Sequence, residues 1–120
     1  MDDTKQAEDS SSRITLTKLI EITGLTSVRL SCLLDVSDPA LRKYLKEGQT
    51  LNAGVIEHAR HLLLVFDKGV ETFGSIQEFS AWLSHEHTIF GIQPYELLKS
   101  VSGINLVVEE LIRIDYGITV

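Results

Sequence analysis

Apolar side chains recur three and four positions apart over most of the chain, and the strict alternation that would mark a strand is nowhere sustained. Leu16, Leu19 and Ile20 form the first stripe. It stops at Thr23-Gly24, where glycine readily takes the left-handed conformation that closes a helix. Leu30, Leu33 and Leu34 mark a second, short helix that Thr26 or Ser27 can cap. A third is expected from Ser37-Asp38-Pro39, a capping side chain with proline in the first turn, carrying Leu41, Tyr44 and Leu45 to an end at Gly48-Gln49. Asn52 caps the longest stripe, which runs through Val55, Ile56, Ala59, Leu62, Leu63, Phe66 and Val70 to Phe73-Gly74. Ser75 with Glu78 three residues on has the form of a capping box ahead of Ile76, Phe79, Trp82 and Leu83. Pro94 opens a short helix to Leu98, and Ser102-Gly103 reads as a break. The last helix is then expected over residues 105–116, with Val107, Val108, Leu111, Ile112 and Ile114 inward. No internal repeat appears. The fold class is all-α.

Composition sets the scale of this fold. A chain of 120 residues, 43% hydrophobic and 23% charged, suffices for one compact core or two very small helical units. Residues 1–13, with Ser10-Ser11-Ser12 and four acids, are expected to be a mobile polar tail. A helical unit over 14–66 and a second over 67–120 follow it. No stretch approaches the roughly 18 apolar residues of a membrane span, and no apolar run follows the N-terminus, so the chain reads as cytoplasmic. Cys32 stands alone and cannot form an internal disulfide; its neighbours Leu30, Leu33 and Leu34 suggest a small buried hydrophobe.

The net charge of -6 is unevenly placed. Residues 25–50 hold four cations against three acids, a net of +1, whereas residues 67–120 hold three cations against eight acids, a net of -5. The second half would repel nucleic acid and attract a basic protein. Any DNA contact therefore belongs to the first half.

Two short helices joined across Asp35-Val36-Ser37, with cations on the second, have the outline of a helix-turn-helix. Residues 16–66 resemble the Xre/Cro-type domain, in which Gly24-Leu25-Thr26-Ser27 leads into the second helix and Val36-Ser37 into the third. Such domains commonly have glycine where this chain has Asp35. Asp38-Pro39 opens the recognition helix, where an aspartate meets phosphate charge and a proline offers no N–H. The DNA contact set is therefore Arg29, Ser37, Ala40, Arg42, Lys43 and Lys46: Ala40 against a thymine methyl, the cations against phosphate or a guanine edge. Homodimerisation would double those contacts on one duplex. The alternative is a three-helix unit used only for packing or dimerisation, its cations merely solvated.

The rest of the chain resembles the toxin-binding domain of the MbcA/ParS/Xre antitoxins. The residues that carry the resemblance are Phe73-Gly74, Phe79-Ser80-Ala81-Trp82-Leu83, the run from Gly91-Ile92-Gln93-Pro94 to Tyr95-Glu96-Leu97-Leu98, Gly103, and Leu111-Ile112-Arg113-Ile114-Asp115-Tyr116-Gly117. The resemblance implies a type II antitoxin with a helix-turn-helix bundle followed by a small helical toxin-binding domain. Its partner would be a RES-domain toxin that consumes NAD, its other ligand operator DNA through which it represses its own operon. It further implies that the end of the chain blocks the toxin's active site, placing Arg113, Tyr116, Gly117, Ile118, Thr119 and Val120 at the interface. The residues themselves leave a second option, in which Ile118 and Val120 fold back on the chain's own core.

Other chemistry is sparse. His58 and His61, or His85 and His87, offer two imidazoles each without a third and fourth ligand at a familiar zinc spacing, and no phosphate-cradling loop, nucleophile elbow or Cys-x-x-Cys is present. Trp82 shares a helical face with Phe79 and Leu83 and reads as a core anchor. Neither a catalytic centre, a metal nor a cofactor is expected in the chain. The runner-up function is a helix-turn-helix transcriptional regulator without a toxin partner.

Overall fold

A computed structural model describes residues 2–47 and 51–117, with side chains from residues 13–46 and 51–117. It is all-helical, with α1 (Asp2–Thr23), α2 (Ser27–Leu34), α3 (Asp38–Glu47), α4 (Ala53–Phe73), α5 (Ile76–Leu83), α6 (Pro94–Leu97) and α7 (Val101–Asp115). The chain divides into two compact units, Met1–Leu63 and Leu64–Val120, the division falling inside α4.

In the first unit the leucine stripes do what their spacing dictates. Leu16 and Leu19 of α1, Leu30, Leu33 and Leu34 of α2, and Leu41 and Tyr44 of α3 are buried, with Ala59 and Leu62 of α4. Thr26 Oγ1 accepts the Arg29 N–H at 3.2 Å, Ser37 Oγ that of Ala40 at 3.2 Å, and Asn52 Oδ1 that of Gly54 at 2.7 Å, so each expected cap is made. Gly24 closes α1 with a φ of 68°. Asp35 closes α2 in the left-handed conformation (φ 56°, ψ 46°), while the Val36 N–H reaches back to Ser31 O at 3.0 Å. Aspartate thus adopts the geometry for which glycine is the usual residue.

Two expectations fail here. Residues 2–13, read as a polar tail, continue α1 as helix. No glycine or proline interrupts residues 2–23, and Gln6, Ala7 and Glu8 are good helix formers. Cys32 is exposed, not buried. It lies two positions from Leu30 and Leu34, about 200° round the helix, so the inward position goes to Ser31, whose hydroxyl donates to Val28 O at 2.6 Å. The expected stop at Gly48-Gln49 lies outside the described residues.

The second unit is built around Phe79. Phe66 meets it edge-on at 5.5 Å between ring centres, and Trp82 stacks on it at 6.0 Å. From Trp82 the ring contacts continue through His87 to Phe90, at 5.5 and 5.2 Å. Gly69 of α4 makes room for this core: a Cβ there would fall 2.3 Å from the Phe79 ring. Ser75 Oγ caps α5 by accepting the Glu78 N–H at 3.1 Å. Val65, Leu83, Leu98, Ile104, Val107 and Leu111 complete the core, while Trp82 is only half-buried.

The last helix begins four residues before its expected start. Ser100, not Asn105, lies at its N-terminus, and Ser100 Oγ accepts the Gly103 N–H at 3.0 Å. Gly103 is therefore no break. It lies in the first turn of α7 because α6 presses on it: a Cβ at this position would stand 2.0 Å from the Leu97 carbonyl oxygen. Ile112, expected inward, is 41% exposed, and Ile104 occupies the core instead. With the helix starting at Val101, the buried stripe is Ile104, Val107 and Leu111, at i, i+3 and i+7.

Candidate functional site

Two surfaces carry the residues singled out by the sequence. On the first unit, Arg29 projects from α2, and Ala40, Arg42, Lys43 and Lys46 are exposed along α3. Leu41 and Tyr44, buried on the opposite side of α3, turn these cations outward. Ser37 is exposed at the start of the helix, its oxygen engaged in the cap. Arg42 is not presented alone. Asp38, one turn earlier, holds it through a 2.8 Å contact between Asp38 Oδ2 and Arg42 Nη2. The other carboxylate oxygen, Asp38 Oδ1, is shut off from solvent with no hydrogen-bond partner among the described residues. A guanidinium committed to its own helix must exchange that partner before it can bind phosphate.

On the second unit the end of α7 is anchored to α4. Lys68 of α4 clasps Asp115 of α7. The contact with Lys68 holds the Asp115 carboxyl below its ordinary value of 3.8, and the same contact lifts the Lys68 ammonium above 10.5. The pair's contribution is thus present above pH 3.8 and lost as pH falls through the depressed Asp115 value. On the alkaline side it is present below 10.5 and lost as pH rises through the raised Lys68 value. The gap in melting temperature between the native chain and Asp115→Asn should accordingly stay level across neutral pH and close as pH falls through the depressed Asp115 value. A gap that persists in acid would show that the contact acts by packing alone.

Beyond Asp115 the backbone leaves the helix. The Tyr116 N–H still donates to Ile112 O at 3.1 Å and the Gly117 N–H to Ile114 O at 3.0 Å, with Gly117 left-handed at a φ of 69°. Tyr116 is 78% exposed. Arg113 is exposed one turn back, its Nη1 3.5 Å from Glu110 Oε2. Ile118, Thr119 and Val120 lie outside the described residues.

The imidazoles do not gather. His61 Nδ1 lies 2.9 Å from the Glu57 carbonyl and His85 Nδ1 2.6 Å from that of Ala81, while His58 is buried on α4. His87 accepts the Ile89 N–H at 3.3 Å and lies between Trp82 and Phe90. Among the described residues, no three His, Cys, Asp or Glu side chains converge on a metal-sized site. No helix there is long and apolar enough to cross a membrane.

The segment that runs from Lys68 of the clasp to the left-handed Gly117 has a counterpart among known families. Residues 68–117 match the antitoxin Xre/MbcA/ParS C-terminal toxin-binding domain. Over those residues the chain is similar to the Xre/MbcA/ParS toxin-binding domain. No curated protein sequence matches the chain. A protein toxin is therefore the partner class of the second unit, and the function of this domain is binding.

Reading the sequence missed one feature of the toxin-binding domain. Ile89, Phe90 and Leu97 stand beside Leu106, Glu109, Glu110 and Arg113 of α7, and together they line a half-open groove of about 390 Å³. The signal was present, since Leu106, Glu109, Glu110 and Arg113 recur at i, i+3, i+4 and i+7. The apolar stripe of the same helix is the stronger pattern and masks it.

Proposed function

We propose that this chain is the antitoxin of a type II toxin-antitoxin pair, which binds a RES-domain, NAD-consuming toxin and blocks its active site with the segment from Tyr116 to Val120. One observation carries the reading: the toxin-binding domain ends at Gly117, where α7 is anchored through Asp115 and the chain turns out of the helix beside an exposed Tyr116. An anchored base followed by the apolar residues Ile118-Thr119-Val120 suits insertion into a pocket. The NAD chemistry belongs to the toxin; the antitoxin contributes occlusion and no cofactor of its own. Growth and cellular NAD should both fall in bacteria expressing the neighbouring gene product and recover when this chain is co-expressed. Absence of toxicity, or of rescue, would overturn the reading.

The first unit complements this activity as an autorepressor. A homodimer would set two copies of the Arg29, Arg42, Lys43 and Lys46 face on operator DNA, so that the antitoxin limits its own synthesis. Arg42→Ala with Lys43→Ala should weaken binding to the promoter fragment and make its log-log salt dependence shallower by about 1.8, at about 0.9 per lost phosphate contact. Neutralisation should be unaffected. Asp38→Asn, which frees Arg42 from its 2.8 Å partner, should change affinity in the opposite direction. Unchanged affinity in the double variant would move the DNA contact off α3.

A further inference from the structure

We infer that the groove on the toxin-binding domain receives a cationic segment of the toxin with apolar flanks, as a second contact beside the one that blocks the active site. The inference rests on the antitoxin reading and deepens it by naming the chemistry of the partner surface. Ile89 and Leu106, 44% and 47% exposed, face solvent at the groove although both are large aliphatic side chains. Phe90 and Leu97 extend the same apolar wall. Water is a poor neighbour for such a surface, and acidic side chains accompany it: Glu109 is exposed, and Glu110 is buried, the residue being 7% exposed. Arg113 reaches Glu110 only at 3.5 Å, the outer limit of a hydrogen bond, and is itself half-exposed. A carboxylate so desolvated gains from a second cation, which a partner can supply. The domain as a whole holds eight acids against three cations from residue 67 onward, so a basic surface is also the one steered toward it.

Position argues for the same occupant. Leu106, Glu109, Glu110 and Arg113 form one stripe along α7, and the next turn of that stripe holds Tyr116 and Gly117, where the blocking segment begins. Nine residues of helix separate Leu106 from Asp115, the last residue of α7, about 14 Å along the axis. That span lies within the footprint of a single standard protein interface, so a toxin holding the chain's end covers the groove with its adjoining surface.

The test is titration calorimetry of the full chain against the purified RES-domain protein encoded beside it, at low and high salt. Glu109→Lys replaces an exposed acid and is expected to raise Kd about tenfold or more at low salt, with the gap narrowing at high salt. Leu106→Asp should raise Kd by a similar factor at both. Circular dichroism melts report whether either variant loses its fold; because Glu109 is exposed, that variant carries the test alone if Leu106→Asp does not fold. Wild-type affinity in Glu109→Lys overturns the inference, and if a chain lacking residues 118–120 still fails to neutralise, the antitoxin reading survives without it. Tighter binding by Glu109→Lys overturns the cationic occupant in favour of an acidic one. If the native chain binds no toxin, the inference and the reading fall together.

Discussion

Gly103→Ala should lower the melting temperature of the second unit by about 10–20 °C. On an open helix the same substitution stabilises by about 1 kcal/mol, because alanine loses less backbone entropy than glycine. Here the new Cβ would stand 2.0 Å from the Leu97 carbonyl oxygen and 2.8 Å from its carbon, and both atoms are backbone. No side chain can swing aside, so α6 must move off α7. Overpacking of this kind costs about 1–3 kcal/mol, and parting the two helices also exposes some of Leu98 and Ile104, each worth about 1.5–3 kcal/mol when buried. Thermal unfolding followed by circular dichroism decides the matter by its sign. A Gly103→Ala chain that melts higher than the native one would mean that α6 and α7 do not approach as closely as described.

Removal of residues 118–120 should abolish neutralisation while leaving the fold, and binding through the rest of the domain, in place. The described helix ends at Asp115, and its clasp to Lys68 lies upstream of the cut, so the base of the blocking segment is untouched. The truncation takes away Ile118 and Val120, each worth about 1.5–3 kcal/mol if fully desolvated in a pocket. Together they correspond to at least a hundredfold in affinity. The informative pairing is growth rescue with co-purification. A truncated chain that still co-purifies with the toxin but no longer protects the cell identifies the segment as the blocking element. Full protection by a chain ending at Gly117 would eliminate it.

Much of this architecture is legible in the residues alone, and the reason is the range of the forces involved. Thr26, Ser37, Asn52 and Ser75 each cap an N–H two or three residues away, and Gly24 and Gly74 each close a helix on its own last turn. Such contacts are written within a few positions of sequence. The Asp38–Arg42 pair, at i and i+4, is equally local and open to the same reading. The chain's own order of residues therefore determined an all-helical fold, the limits of α2, α4 and α5, the outward cations of α3 and the apolar faces that must meet.

Tertiary structure alone decided the rest. Gly103 looks like a helix breaker by composition and is a point of close approach because α6 lies against it. Ile112 carries the same hydrophobicity as Ile104, and only the packing of α7 within its unit sends one outward and the other into the core. Lys68 and Asp115 are far apart in sequence, and the groove draws on a loop, α6 and α7 at once. Propensity and capping act over one helical turn, whereas ion pairs between helices and the shape of a surface depend on which turns are brought together; hence the helices were readable in the residues, and the binding surface was not.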